Sequence, residues 1–201
     1  MDPSNSSVVM RLGLTGGVAC GKSTVARSLE ARGWGRVDCD LLAGEILARD
    51  SSVREQLEER WNESLRLPGG GIDRARIARI VFAQADELAF LENLLHPLVA
   101  QRWKEIVAAD CKRSWVVEVP LLFEVGWAGD FDQTAVVAAS EMVWRKRLAA
   151  RPGSIASWEQ RVRRQWALEK KMAHAETVFW NNGTPAFCEL QIEYWCQSCF
   201  S

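Results

Sequence analysis

No apolar run in this chain approaches the roughly 18 residues that a membrane-crossing helix requires, which argues against a transmembrane segment. The chain also lacks an excess of charge of either sign. Its 25 basic and 26 acidic residues leave a formal net charge of −1, so no global field selects nucleic acid or an anionic membrane as a partner. The opening Met1-Asp2-Pro3-Ser4-Asn5-Ser6-Ser7 has neither the basic start nor the apolar core of a signal peptide. A disordered extension over residues 1–8 and a cytoplasmic location are therefore expected. Histidine is scarce, with only His96 and His174. The six cysteines, Cys20, Cys39, Cys111, Cys188, Cys196 and Cys199, are scattered, and without a secretion signal reduced thiols are expected. Cys196 and Cys199 form a lone C-x-x-C pair; with no second pair to complete it, a zinc site is not expected.

What is present is more specific. Residues 16 to 24 read Gly-Gly-Val-Ala-Cys-Gly-Lys-Ser-Thr, a complete G-x-x-x-x-G-K-[ST] phosphate loop. An apolar run, Val8 to Leu14, precedes it and suits a buried strand; helical apolar spacing over Ser23 to Glu30 follows it. Gly16 and Gly21 open backbone conformations closed to other residues. Successive N–H groups, those of Gly17, Ala19 and Cys20 among them, then converge on a polyphosphate at the positive end of a helix. In this arrangement Lys22 reaches the β- and γ-phosphates and the Ser23 hydroxyl ligates Mg²⁺, with Thr24 completing the motif. Cys20 lies near a helix N-terminus, which would lower its pKa. A small residue tolerated where only the backbone is used is the plainer reading.

At 201 residues and 48% hydrophobic, the chain is long enough for one α/β domain with a lid. Strands are expected at 36–40, 115–120, 133–139 and 177–180, and helices at 41–61, 72–82, 87–108, 141–150, 157–173 and 186–195. Pro97 should interrupt the third of these near His96. Short apolar strands alternating with helices predict a parallel sheet covered on both faces. The domain is expected to run over 9–201, with substrate-binding helices at about 41–108 and a lid at about 141–171.

Two charged clusters stand out. Arg145, Lys146, Arg147, Arg151, Arg161, Arg163, Arg164, Lys170 and Lys171 are opposed only by Glu141, Glu159 and Glu169. They read either as a solvated helical face or as a mobile lid whose arginines neutralise a transferring phosphoryl group. Asp38 and Asp40 flank one residue at the C-terminal end of a strand, where α/β sheets place their ligands. In an extended segment both carboxylates point the same way, toward the phosphate site, as Mg²⁺-water ligand and general base. The alternative is a pair of helix-capping aspartates. Glu118 ends the middle strand, in the place of a Walker-B-type acid.

Taken together, Leu14 to Thr24, Val37-Asp38-Cys39-Asp40, Leu94-Leu95-His96-Pro97-Leu98, Val119-Pro120-Leu121-Leu122-Phe123-Glu124, Arg147 with Arg151, Gln165 and Asn181-Asn182-Gly183 resemble the dephospho-CoA kinase family. The resemblance runs from Leu12 to about Pro185. It implies an α/β P-loop NTPase-type fold with a helical substrate-binding part and an Arg-rich lid. It implies ATP and Mg²⁺, and phosphorylation of the ribose 3′-hydroxyl of a small-molecule acceptor, dephospho-CoA. By position, Asp40 matches the family's base, Arg147 and Arg151 its lid arginines, and Asn181, Asn182 and Gly183 its adenine-side loop. Asp38, His96, Pro97, Leu121 and Glu124 fall on the substrate side, with Ser23 and Asp38 toward the metal. The chain departs from the family where Gly44 replaces an arginine, where Ala175-Glu176 replaces Ala-Asp, and where Val18-Ala19-Cys20-Gly21 fills the loop.

Two other readings remain open on the residues: another small-molecule P-loop kinase, and a weakly active nucleotide-binding module. A GTPase switch would show D-x-x-G and N-K-x-D, and neither occurs. Nothing in the sequence indicates an oligomeric state.

Overall fold

The computed structural model describes residues 9–150, 162 and 164–199. In chain order its elements are β1 (Arg11–Gly16), α1 (Lys22–Ala31), β2 (Gly35–Asp38), α2 (Cys39–Arg49), α3 (Ser51–Trp61), α4 (Arg74–Ala83), α5 (Ala85–Ala109), β3 (Trp115–Glu118), β4 (Gln133–Ala138), α6 (Glu141–Ala149), α7 (Leu168–His174), β5 (Thr177–Trp180) and α8 (Pro185–Cys199). They fall into two compact units. One takes the chain through Asp38 and from Asp110 onward, and the other is Cys39–Ala109.

The first unit is built on a five-stranded sheet of order β2-β3-β1-β4-β5 in which every pairing is parallel. β1 is its centre, and alternation along β1 assigns the two faces. Leu12 and Leu14 are fully buried with Val25 and Leu29 of α1 and with Ile192 and Trp195 of α8. Truncating one of these leucines to alanine costs about 2–5 kcal/mol. The opposite face carries Gly13 and Thr15. A Cβ on Gly13 would lie 2.7 Å from the Phe131 ring, so no side chain fits between sheet and aromatic. α8 begins with Pro185 at its first turn, and the Thr184 hydroxyl accepts from the Phe187 N–H. Because all strands run the same way, Gly16, Asp38, Glu118, Ala138 and Trp180 end at one edge, the edge where ligands of such sheets gather.

The second unit is four helices around Val53, Leu57, Leu65, Ile72, Ile77, Val81, Leu91 and Leu95. The single helix expected over 41–61 is two. Asp50 lies in extended conformation between them, and its side chain accepts from the N–H groups of Ser52 at 2.9 Å and Val53 at 3.2 Å, capping α3. The interruption expected at Pro97 does not occur: α5 runs unbroken through it. The proline removes only one N–H, that facing the Asn93 carbonyl, while the buried stripe Leu91, Leu95, Val99 and Trp103 continues on both sides. Among the described residues no helix is long and apolar enough to cross a membrane.

Candidate active site

The phosphate loop joins β1 to α1 as its glycines require. Gly16 has φ +150° and Gly21 φ +98°, and a Cβ on Gly21 would stand 2.1 Å from Asn181 Nδ2. Ala19 is also left-handed, at φ 58°, a conformation that costs a non-glycine residue on the order of 1 kcal/mol. Gly21 occupies the N-cap of α1 without a side chain to offer, so the first-turn N–H groups are left for an anion. Lys22 Nζ donates to the carbonyls of Gly16 at 3.0 Å and Gly17 at 3.3 Å, which holds its ammonium inside the loop. The Cys20 thiol is buried, and that burial pushes its pKa up against the pull of Lys22. The activation suggested by its place near a helix N-terminus is thus overturned, because desolvation outweighs the nearby cation.

Ser23 Oγ donates to Glu118 Oε2 at 3.0 Å. Glu118 is itself 3% exposed, and its other oxygen takes Arg36 Nε at 2.8 Å and Nη2 at 2.7 Å. Arg36 Nη2 stands 3.8 Å from Asp38 as well. Arg36 was not singled out from sequence. The signal was its position two residues before Asp38 on a strand, which puts both on one face. A carboxylate buried at the loop serine needs such a partner.

Asn181 Nδ2 donates to the Cys20 carbonyl at 2.9 Å, and Arg147 Nη2 donates to the Asn181 carbonyl at 2.8 Å. Arg147 Nη1 also reaches the Cys20 carbonyl at 3.3 Å. The loop after β5 and the basic helix α6 are thereby tied to the back of the phosphate loop. Asn182 Oδ1 accepts from the Ser140 N–H at 2.6 Å, just before α6, and Gly183 packs under Phe187. A cavity of about 630 Å³ opens here, lined by Gly17 and Val18 of the loop, by Trp144, by Gln165 and Trp166, and by Asn182. Arg151, Arg161 and Arg163, the centre of the expected lid, lie outside the described residues.

Lys171 departs from the solvated-face and lid readings alike. It is fully buried on the Thr15 face of the sheet. Its Nζ donates to the Pro120 carbonyl at 2.6 Å and pairs with Glu124 Oε1 at 2.9 Å, with Thr15 Oγ1 at 3.4 Å. Burial pushes its pKa down, and the Glu124 pair opposes that. The Thr15 hydroxyl donates to the same Pro120 carbonyl at 3.1 Å, so the ends of β1 and β3 are pinned together beneath the loop. Glu124 Oε1 also accepts the Trp166 N–H at 2.7 Å, and its Oε2 is buried with no hydrogen-bond partner among the described residues. Leu121 is half-buried in the turn between Pro120 and Glu124. Glu176, in place of the family aspartate, accepts from the Thr134 N–H and hydroxyl and ties β5 to β4.

The second unit holds Asp40, His96 and Pro97. Asp40 is exposed in the first turn of α2, and His96 and Pro97 lie half-buried and exposed on α5. The strand does not continue past Asp38: Cys39 already begins the helix. The period-two argument that aligned Asp38 with Asp40 therefore fails, and so does the reading of Asp40 as a cap preceding its helix. Among the described residues no group of three or more His, Cys, Asp or Glu is gathered as a metal cage.

A family model described as dephospho-CoA kinase matches residues 10–186. A dephospho-CoA kinase of Synechococcus sp. (strain JA-3-3Ab) is 36% identical over 204 aligned positions, which cover 90% of this chain and 89% of that one. One from Enterococcus faecalis (strain V583) is 33% identical, covering 92% and 95%. Among solved structures, TT1252 of Thermus thermophilus superposes with a TM-score of 0.79 at 32% identity, covering 94% of this chain and 97% of its own. Dephospho-CoA kinase from Campylobacter jejuni has a TM-score of 0.70 at 23% identity, a likeness of fold.

Proposed function

The chain belongs to the dephospho-CoA kinase family, and from that membership we propose that it transfers the γ-phosphoryl group of ATP to the ribose 3′-hydroxyl of dephospho-CoA, giving coenzyme A and ADP. The observation that carries the reading is the phosphate loop with Lys22 seated in it and Ser23 bonded to buried Glu118, inside a family match that spans most of the chain.

Each residue then has a task. Lys22 exchanges two neutral carbonyl acceptors for phosphate oxygens, a charge-assisted and stronger pairing. Its charge is most useful where negative charge shifts during transfer. The loop N–H groups of Gly16, Gly17, Ala19, Cys20, Gly21, Ser23 and Thr24 hold the polyphosphate. Asp40 takes the 3′-hydroxyl proton as the new P–O bond forms and the bond to the ADP oxygen breaks. Arg147, with Arg151, neutralises the phosphoryl group from a lid that begins at about 141 and does not include the buried Lys171, and Asn181, Asn182 and Gly183 form the adenine side. Asp38, His96, Pro97 and Leu121 serve the acceptor, the helices at about 41–108 are the substrate-binding part, and Glu124 retains Oε2 for an acceptor hydrogen bond. The single domain spans 9–201 and works in the cytoplasm, on a small molecule and without nucleic acid or membrane.

The reaction also calls for Mg²⁺. The donor set fits a hard cation: a serine hydroxyl 3.0 Å from a carboxylate, with Asp38 at the end of the adjacent strand. Mg²⁺ keeps waters and phosphate oxygens and needs only one or two protein oxygens, so a cage is not required. Ser23, with Asp38 through water, would hold it, and it would neutralise charge on the β- and γ-phosphates.

An acceptor panel of dephospho-CoA, AMP, shikimate and gluconate, incubated with ATP and read by product mass, tests the assignment. Dephospho-CoA should gain one phosphate far faster than the others. Ready phosphorylation of any other acceptor with dephospho-CoA untouched would leave only the kinase class standing.

A further inference from the structure

The helical unit presents one arginine in an unusual seat. Arg74 opens α4, and its Nη2 donates to the Gly44 carbonyl on α2 at 2.6 Å. A Cβ at position 44 would lie 3.3 Å from both of its terminal nitrogens, tighter than most such contacts. The bare helix surface at Gly44 is what lets the guanidinium settle there. Gly44 stands four residues after Asp40 on the same helix, so the two share a face one turn apart. Arg76 and Arg60 of the same unit spend their charge on Glu63 and Glu87. Arg74, among the described residues, makes no ion pair, and its bond to Gly44 occupies one of five donors. A planar fork held by one donor, with the rest uncommitted, suits bidentate recognition of phosphate oxygens.

We propose that Arg74 is a substrate-binding residue that takes the diphosphate of the acceptor, and that Gly44 serves specificity by leaving room for it. The proposal rests on the acceptor reading above. The diphosphate of dephospho-CoA carries two negative charges that need a cation away from the hydroxyl being phosphorylated. An arginine anchored one helical turn from the proposed base binds the acceptor while the base addresses its ribose.

The test compares Arg74→Gln and Gly44→Leu with the unmodified chain in steady-state kinetics. Losing a charge-assisted pair should raise the KM for dephospho-CoA about tenfold or more. The KM for ATP should stay within about twofold, since uniform acceptor binding is what is removed. Gly44→Leu should raise the acceptor KM in the same direction without lowering the thermal midpoint, because leucine is the better helix former. Calorimetric titration adds a readout that a structural defect would not give: Arg74→Gln should weaken binding of dephospho-CoA but leave that of adenosine, which has no phosphate, unchanged. If the unmodified chain uses dephospho-CoA and Arg74→Gln keeps its acceptor KM within twofold, the role of Arg74 is overturned and the acceptor stands. If the unmodified chain does not use dephospho-CoA at all, the acceptor and the role of Arg74 both fall.

Discussion

In the sheet unit, Lys171 and Glu124 meet with side chains 0% and 12% exposed, whereas in the helical unit Arg76 and Glu63 meet with 40% and 41% exposed. The first pair lies under the phosphate loop and is tied to β1, β3 and the Trp166 segment. The second sits on the surface of helices whose core is wholly apolar. A buried pair fixes one arrangement, since each partner is costly to strand without the other. A surface pair is exchanged for water at little cost. The sheet unit therefore carries its chemistry on three chains of buried and part-buried bonds: Ser23–Glu118–Arg36, Cys20–Asn181–Arg147, and Thr15–Pro120–Lys171–Glu124. The helical unit offers its side chains, the proposed base Asp40 and the acceptor-side residues among them, from an apolar scaffold.

Substitutions can break that contrast. Lys22→Ala should lower kcat/KM by at least about 10³-fold with little change in the denaturation midpoint, because the ammonium is held by the Gly16 and Gly17 carbonyls of the loop and not in the hydrophobic core. Wild-type turnover in the folded variant would remove the loop from the mechanism. In the helical unit, Asp40→Asn should cost on the order of 10²-fold or more in kcat with the KM for ATP nearly constant. If Asp38→Asn is the crippling change instead, the roles are reversed, and the base belongs to the sheet unit.

Stability sharpens the contrast further. Lys171→Met leaves Glu124 buried without its counter-charge and should cost about 3–5 kcal/mol in urea denaturation, part of which Glu124→Gln should restore. Arg76→Ala should cost no more than about 1 kcal/mol. Equal losses in the two would erase the distinction. The smallest effect is in pH. The folded-state pKa of Lys171 lies below its ordinary 10.5. Between the two values the unfolded chain holds the extra proton, so this lysine makes stability rise with pH through that window. Lys171→Met should abolish that rise in midpoints taken up to alkaline pH.

How much of this was legible in the sequence depends on how local each feature is. The phosphate loop, the parallel sheet and the family were readable because glycine geometry, strand alternation and motif order are properties of short segments. Asp38 and Asp40 were found but wrongly related, since the switch from strand to helix at Cys39 is decided by packing rather than by the two acids. Lys171 was counted with the charge of its neighbours, and only the fold shows that Lys170 lies over the Trp166 ring while Lys171 turns inward. The missing arginine at Gly44 was legible, but not the arrival of Arg74 from 30 residues away.

The most direct measurement follows the phosphoryl group itself. ATP labelled with ¹⁸O in its γ-phosphate is incubated with the protein, Mg²⁺ and dephospho-CoA, and the products are read by mass and by phosphorus–proton correlation. The account predicts ADP and an acceptor bearing one labelled phosphate on the ribose 3′-oxygen. Label found only in free inorganic phosphate, or on another atom of the acceptor, would contradict it.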